Sequence, residues 1–378
     1  MRILIVSEFF PRGKDLKFSG GVEARNFYLA KYLAKKHQIL ILTRRLKGTK
    51  EKEKIFNFQI FRVGAPSDYS ASTGDFLGRL RFIISAVNYG KKLEFDIVEG
   101  TNYLTHLLAR ILGLNKNRPV VAWYPDVWLG RWLKIVGVFG IIGEILERIN
   151  LALGFNATIV ISKEVFNRLK PSVKNLYLIP CGIEFSEFKK LHRKFPEPTI
   201  ISISRLTGYK NLRTLLLAFA HLSTNIKKAR LIIIGQGPEL KNLKNLAKNL
   251  KIAAKVTFLS ELKRKDLIGL IASSHVFSLP SLVEGFGIST IEAAAAGLPD
   301  VISDTPTHRE VTKNGQGGFL VDPQSPLAYS QKLEKLLTNK ALYLKKSKEA
   351  RNLAKNYNWQ DIANKTEKVY QLVIKRKQ

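Results

Sequence analysis

The chain has 378 residues, 45% of them hydrophobic, which suits two α/β domains with cores of their own and excludes general disorder. Its single cysteine, Cys181, excludes an intramolecular disulfide framework and a Cys-cluster metal site, and one methionine beside abundant lysine fits a protein from a hot environment. With 62 Lys and Arg against 30 Asp and Glu the formal charge is +32, which points to nucleic acid, an anionic membrane face or an anionic substrate.

The first ten residues, MRILIVSEFF, combine one basic residue with an apolar run and lack a small-residue cleavage site. They read as a buried strand over 3–7 rather than a signal peptide. A loop rich in Gly, Pro and Lys (11–21) leads into a helix over 22–36, with Phe27, Leu29, Ala30 and Leu33 on its inner side. Further strands read at 39–43, 59–63, 96–99, 119–123, 158–161 and 176–179. Strands alternating with helices predict a mostly parallel sheet. The text then turns polar, with two prolines, over 183–199 (IEFSEFKKLHRKFPEPT), which reads as a linker. A second series follows, with strands at 199–204, 229–234, 256–259, 276–279 and 300–303 and helices at 211–222, 238–249, 264–273 and 288–296. From residue 324 onward only helices are expected. Two Rossmann-like domains in series predict a cleft between the carboxyl ends of two parallel sheets. The longest uncharged run outside the strands, 135–143, is far short of the roughly 20 residues that span a bilayer, so a soluble or monotopic protein is expected.

The most specific text is PSLVEGFGISTIEAAAAGLPDVISD over 280–304. Glu284 falls in a Gly-containing loop after a strand, and Glu292 falls on the next helix, with seven residues between them. Gly285 and Gly287 let backbone N–H groups come close to an anion, and the helix start adds a partial positive end. A carboxylate there accepts hydrogen bonds from hydroxyls, which suggests a sugar or ribose beside a phosphate. The competing reading is a surface loop followed by an Ala-rich helix with an exposed Glu. Two other turns weigh against it. SISRLTGYKNL (202–212) sets Arg205 just past a strand and Lys210 near a helix start, a forked donor and a point charge suited to a diphosphate. IIIGQGPEL (232–240) supplies Gly235 and Gly237 at another strand-to-helix turn.

These segments resemble the donor half of the family 4 retaining glycosyltransferases, which have the two-domain GT-B architecture. The resemblance runs from GGVEARN at 20–26 to YNWQDIANKTEKVY at 357–370 and is strongest at the Glu-x7-Glu text with its flanking PS and GLP. It implies an acceptor domain over 1–185, a nucleotide-sugar donor domain over 186–355, and a terminal helix over 356–378 returning to the first domain. It further implies that Arg205 and Lys210 hold a nucleotide-sugar pyrophosphate. Glu292 would take the ribose hydroxyls, and Glu284 with the backbone of Gly285, Phe286 and Gly287 the donor sugar. The region from Leu259 to Leu262 would flank the base, and Gly20–Gly21 would form the glycine loop closing over pyrophosphate and acceptor.

Retention in this family fits front-face substitution, in which the diphosphate leaves and the acceptor hydroxyl attacks from the same side. That route needs no pair of carboxyls about 5–5.5 Å apart of the kind a retaining hydrolase uses. It needs a stabilised leaving diphosphate, the task of Arg205, Lys210 and backbone amides. The chain contains no Asp-x-Asp, so neither a bridging metal nor any cofactor is expected. The sequence departs from the family in several places. Where many members carry a His after the strand at 119–123, this chain reads Trp123-Tyr124-Pro125-Asp126, leaving Asp126 or Tyr124 to orient an acceptor. Cys181 stands where Asn is usual and reads as a buried structural thiol, Asp300 where an apolar residue is usual, and Ser260 where Gly is common.

Residues 127–155 are unusually apolar, with Trp128 and Trp132 beside Arg131 and Lys134. This pattern suits a membrane interface or lipid tail, and equally a loop followed by a buried helix. The expected partners are therefore a nucleotide-sugar donor such as UDP- or GDP-hexose, a glycan or lipid-linked acceptor, and an anionic membrane surface at the cytoplasmic inner face. A synthase of a soluble glycoside would share the same donor half. Residues 1–200 and 201–378 each carry +16, so there is no basic arm, and no nucleic-acid motif is evident. The six histidines (37, 106, 192, 221, 275 and 308) lack metal-ligand spacing and read as structural or surface groups.

Overall fold

A computed structural model of the protein describes residues 1–12, 18, 20–68, 75–133, 137–189, 192–260 and 262–377. The chain divides into two compact units, Met1–Cys181 with Trp359–Gln378, and Gly182–Asn358.

The first unit is built on a sheet of eight strands among the described residues: β1 (Arg2–Ser7), β2 (Gln38–Leu46), β3 (Lys52–Ile55), β4 (Phe58–Ser67), β5 (Ile97–Gly100), β6 (Val120–Tyr124), β7 (Ala157–Val160) and β8 (Leu176–Leu178). Their spatial order is β3-β4-β2-β1-β5-β6-β7-β8, parallel throughout except where the short edge strand β3 runs antiparallel to β4. Helices α1 (Gly21–Leu33), α2 (Phe76–Gly90), α3 (Tyr103–Asn115), α4 (Gly140–Leu153) and α5 (Lys163–Leu169) make the crossovers. Burial on both faces explains the unbroken apolar text of β1. Leu4 and Val6 join the core under α2 and α3, while Ile3 and Ile5 are buried on the opposite face.

The second unit has a six-stranded parallel sheet, β9 (Thr199–Ile203), β10 (Arg230–Ile234), β11 (Val256–Leu259), β12 (Val276–Leu279), β13 (Asp300–Ser303) and β14 (Gly318–Val321), in the order β11-β10-β9-β12-β13-β14. Its helices are α6 (Leu212–Asn225), α7 (Leu240–Asn249), α8 (Arg264–Ser273), α9 (Ile288–Ala295), α10 (Pro306–Val311), α11 (Pro326–Thr338) and α12 (Lys340–Ala354). Neighbouring residues split between two cores, Ile200 packing with α6 and α11 and Ile201 with α8 and α9. The chain then returns to the first unit as α13 (Trp359–Lys375), where Tyr28 of α1 stacks on Trp359 at 5.8 Å. Both units are Rossmann-like. The strands absent from the sequence reading are β3 and β14, one rich in Lys and Glu at a sheet edge and the other four residues long after a Gly-rich turn.

Candidate functional site

In the second sheet β9 lies between β10 and β12, so successive connections leave it in opposite directions. Open parallel sheets form a crevice beyond the carboxyl ends of the strands at such a switch point. The segments entering that crevice are those following β9 and β12, which carry Arg205 and Lys210 on one side and Glu284 on the other.

The turn after β9 is held by the turn after β10. Ser204 N–H donates to the Ile234 carbonyl at 3.1 Å, Leu206 N–H to Gln236 at 2.8 Å, and Glu239 N–H to Leu206 at 3.0 Å. A Cβ at Gly235 would lie 1.8 Å from the Ser204 oxygen, and one at Gly237 2.2 Å from the Leu206 oxygen. The two glycines therefore permit the close backbone approach that carries Arg205. With Leu206 buried as its anchor, Arg205 is exposed and makes no ion pair among the described residues.

Lys210 is buried, and its Nζ donates to Glu284 Oε2 at 2.7 Å. Burial pushes the Glu284 carboxyl up, but the Lys210 ammonium, with His308 beside it, outweighs this and holds it below the ordinary carboxylate value. Two contacts fix the loop. Leu282 N–H donates to the Tyr209 carbonyl at 2.8 Å, and Thr307 Oγ1 donates to the Glu284 carbonyl at 2.8 Å. Phe286 is buried edge-on against Tyr357, with ring centroids 5.6 Å apart, so its side chain anchors the loop. Gly287, at φ +83°, caps α9 in the left-handed region, which favours glycine.

Glu292 is 6% exposed, which overturns the reading of an Ala-rich helix with an exposed Glu. Its Oε1 accepts from Arg264 Nη1 at 2.6 Å. Burial pushes its carboxyl up, and Arg264 opposes this in part. Leu259 closes β11, its carbonyl accepting from Gly235 N–H at 2.9 Å, and Leu262 packs on the core under α8. Residue 261 between them lies outside the described residues.

Three residues here were invisible to sequence spacing: Arg264, Glu187 and His308. His308 is fully buried on α10, and Nδ1 donates to the Ser303 carbonyl at 2.8 Å, which leaves Nε2 as an acceptor. That Nε2 has no partner among the described residues, and Cδ2 lies 3.6 Å from where a Cβ on Gly287 would sit. Burial pushes the imidazole below its ordinary value, against the pull of Glu284. Among the described residues no group of three or more His, Cys, Asp or Glu side chains could hold a metal ion.

In the first unit Gly20 caps α1 with extended backbone and no side-chain cap, and a Cβ added there would meet nothing within 4 Å. Gly21 opens the helix. Beneath them Arg25 pairs with Glu99, Tyr370 Oη donates to Glu99 at 2.6 Å, and Asn26 donates to Ser7 and Thr101. This network fixes α1 to β1, β5 and α13. Most of the preceding loop, 13–17 and 19, lies outside the described residues. Tyr124, the last residue of β6, is buried against His106, whereas Asp126 beyond the strand is half-buried and accepts from Val127 N–H at 2.8 Å. Burial pushes the Cys181 thiol up to about 12, as befits an inert structural thiol.

Comparison with known proteins bears on both units. The family described as "Glycosyl transferases group 1" matches residues 184–357, and "Glycosyltransferase Family 4" matches residues 19–187. The chain belongs to the group 1, family 4 type of glycosyltransferases. An uncharacterized glycosyltransferase of Haemophilus influenzae is 33% identical over 43% of this chain and 46% of its own length. A GDP-mannose-dependent alpha-(1-6)-phosphatidylinositol monomannoside mannosyltransferase of Mycobacterium tuberculosis is 31% identical over 42% and 43%. The matched stretch thus spans less than half of these relatives. Sucrose-phosphate synthase from Thermosynechococcus elongatus superposes with a TM-score of 0.84 at 20% identity, covering 99% of each chain. Anabaena HepE, solved with UDP and glucose, gives 0.75 at 17% identity over 98% of this chain and 99% of its own. These likenesses establish the GT-B fold.

The apolar stretch 127–155 of this glycosyltransferase-family chain is organised differently from either sequence reading. Helix α4 buries Gly140, Gly143, Glu147 and Asn150 and turns its aliphatic side outward. Gly143 receives the Trp132 ring, Glu147 accepts from Trp132 Nε1 at 2.6 Å and from Trp128 N–H at 3.2 Å, and Asn150 donates to the Tyr103 carbonyl at 2.6 Å. Trp132 is therefore a buried strut, not an interfacial anchor. Ile141, Ile142, Ile145, Ile149 and Leu153 are exposed, and Val138 just before them is 77% exposed. Lys134 lies outside the described residues. Among the described residues no helix is long and apolar enough to cross a membrane.

Proposed function

We propose that the protein transfers a hexosyl group from a nucleoside-diphosphate sugar to an acceptor hydroxyl with retention of anomeric configuration, the acceptor being lipid-linked or held at a membrane surface. The observation that carries the donor side is the convergence of Arg205, Lys210 and Glu284 at the switch point of the second sheet, with the buried carboxylate of Glu292 on the helix behind. Arg205 and Lys210 take the diphosphate, Glu284 and the Gly285–Gly287 backbone take sugar hydroxyls, and Glu292 takes the ribose. The bond from the anomeric carbon to the β-phosphate oxygen breaks. The acceptor oxygen bonds to that carbon on the same face, and its proton passes to the departing phosphate. Charge built up on the diphosphate is stabilised by cations already in place, so the step as written uses no metal. Asp126 orients the acceptor, and Gly20–Gly21 at the open start of α1 contribute backbone N–H groups.

The acceptor side rests on the outward aliphatic face of α4. Helix α2 adds a second such face with Leu77, Leu80 and Ile84, and both helices pack against α3. Exposed apolar stripes beside a basic surface match a monotopic contact with an anionic leaflet, where each Lys or Arg contributes about 1 kcal/mol.

A thermal-shift screen against UDP-, GDP-, ADP- and CMP-sugars tests the donor reading. A ligand at about 100 times its Kd adds roughly 2.7 kcal/mol, a rise of about 5–11 °C for a domain of this size. Arg205→Ala and Glu292→Ala remove that rise; an undiminished shift in both variants rejects the assignment.

A further inference from the structure

The carboxylate assigned to ribose is one end of a three-residue chain of charge. Arg264, the first residue of α8, is 7% exposed and reaches two carboxylates at once. Its Nη1 donates to Glu292 Oε1 at 2.6 Å, while Nε and Nη2 grip Glu187 Oε2 side-on at 2.9 and 2.8 Å. Glu187 belongs to the helical turn Phe185–Phe188, reached soon after the chain enters the second unit at Gly182. Arg264 also stands two residues past Leu262, so the segment assigned to the base runs straight into the residue that grips the ribose carboxylate.

The chemistry of the trio goes beyond a static ion pair. Two carboxylates share one guanidinium, so the cluster keeps a net negative charge and spare acceptor capacity. A buried carboxylate without a cation drifts toward its protonated form, and a protonated carboxyl loses acceptor lone pairs to its own hydrogen. Burial already pushes Glu292 in that direction, and Arg264 is the largest group opposing it. Only a guanidinium offers donors on two edges in a fixed plane; an ammonium in the same place is a point charge without that fork.

We propose that Arg264 is the positioning residue of nucleoside recognition, holding Glu292 ionised and in one orientation so that it accepts both ribose hydroxyls, with Glu187 bracing the guanidinium from the other side. The proposal rests on the reading that Glu292 takes the ribose.

Calorimetric titration with UDP and GDP, each beside its 2′-deoxy counterpart, tests it in the wild type, Arg264→Lys and Glu187→Gln. Losing a hydroxyl that donates to a charged acceptor weakens binding about tenfold or more, so the wild type prefers the ribonucleotide by that factor. Arg264→Lys lowers affinity for the ribonucleotide about tenfold, leaves the deoxynucleotide nearly unchanged, and brings the preference close to one. Glu187→Gln lowers the preference part of the way. A purely structural role would weaken both nucleotides equally, which separates it from positioning. An unaltered preference in Arg264→Lys overturns the proposal while leaving Glu292 in place; a wild type without any preference overturns the ribose reading itself. Should Arg264→Lys fail to fold, as its thermal midpoint without ligand reports, an unaltered preference in Glu187→Gln overturns the proposal.

Discussion

Asp300 opens β13 at 1% exposure, its Oδ1 has no hydrogen-bond partner among the described residues, and burial pushes its carboxyl from an ordinary 3.8 up to about 7, against the pull of Lys346. A Cβ on Gly318 would come within 1.9 Å of that oxygen, so the paired strand β14 can close over it only with glycine there. The folded chain holds the Asp300 proton more tightly than the unfolded chain. Stability from this group is therefore fully present below about pH 4 and is lost as pH rises through 7. Asp300→Asn keeps the shape and removes the ionisation, so its midpoint relative to wild type rises from pH 5 to pH 8; an equal difference at both values refutes the assignment. Residues of this kind show how far the sequence reading reached. Glu284 and Glu292 stand on one strand–loop–helix unit with seven residues between them, and Arg205 and Lys210 share one turn, so local spacing announces them. Arg264, Glu187 and His308 arrive from three other elements, and only tertiary packing brings them to the same carboxylates. The family pattern drew attention to Asp300 as a departure, but its burial depends on β14, a strand too short to leave a periodic signal.

At the scale of elements, continuous apolar runs in β1, β2, β9 and β10 made the parallel sheets legible, since strands covered on both faces need no polar alternation. Helix α4 shows the limit of that logic. Periodicity identifies an amphipathic helix but carries no label for the side that faces inward, and an apolar stripe ordinarily means core. Here glycine at 143 makes room for the Trp132 ring, and Glu147 satisfies the indole, so a polar and small-residue face wins the interior. A stripe at Ile141, Ile145, Ile149 and Leu153, four residues apart, is left outside. Because these side chains contribute little burial to the fold, Ile141→Ser, Ile145→Ser and Ile149→Ser combined change the thermal midpoint by no more than about 6 °C, as three surface substitutions within about 0.5 kcal/mol each would. Substitution of Gly143 by Val is the contrasting case, since a Cβ there would sit 2.4 Å from the indole. A large fall of the midpoint in the triple serine variant would mean that the stripe is packed rather than exposed.

For the whole molecule, the charge and the apolar stripe act together, and salt separates them. Exposed charges more than about 8 Å apart are largely screened at physiological ionic strength, so attraction of a +32 chain to any polyanion weakens steeply with salt. Burial of aliphatic side chains in the headgroup region does not depend on screening in that way. The even division of charge between residues 1–200 and 201–378 provides attraction without orientation, and the α4 face, on one unit only, supplies orientation. Co-sedimentation with vesicles containing anionic phospholipid distinguishes the two contributions. The wild type binds at low salt, retains a reduced fraction at about 0.5 M salt, where the Debye length falls toward 4 Å, and binds weakly to neutral vesicles. The triple serine variant of α4 binds at low salt through charge alone and is fully released at high salt. RNA in place of vesicles serves as the control for charge: its binding, having no apolar component to keep, disappears with salt in wild type and variant alike. Equal release of both proteins from anionic vesicles at high salt would remove the stripe from any membrane role and leave the basic surface as a solvated coat. No wild-type binding at low salt would remove the membrane from the acceptor reading altogether, pointing to a soluble acceptor taken by the same donor site.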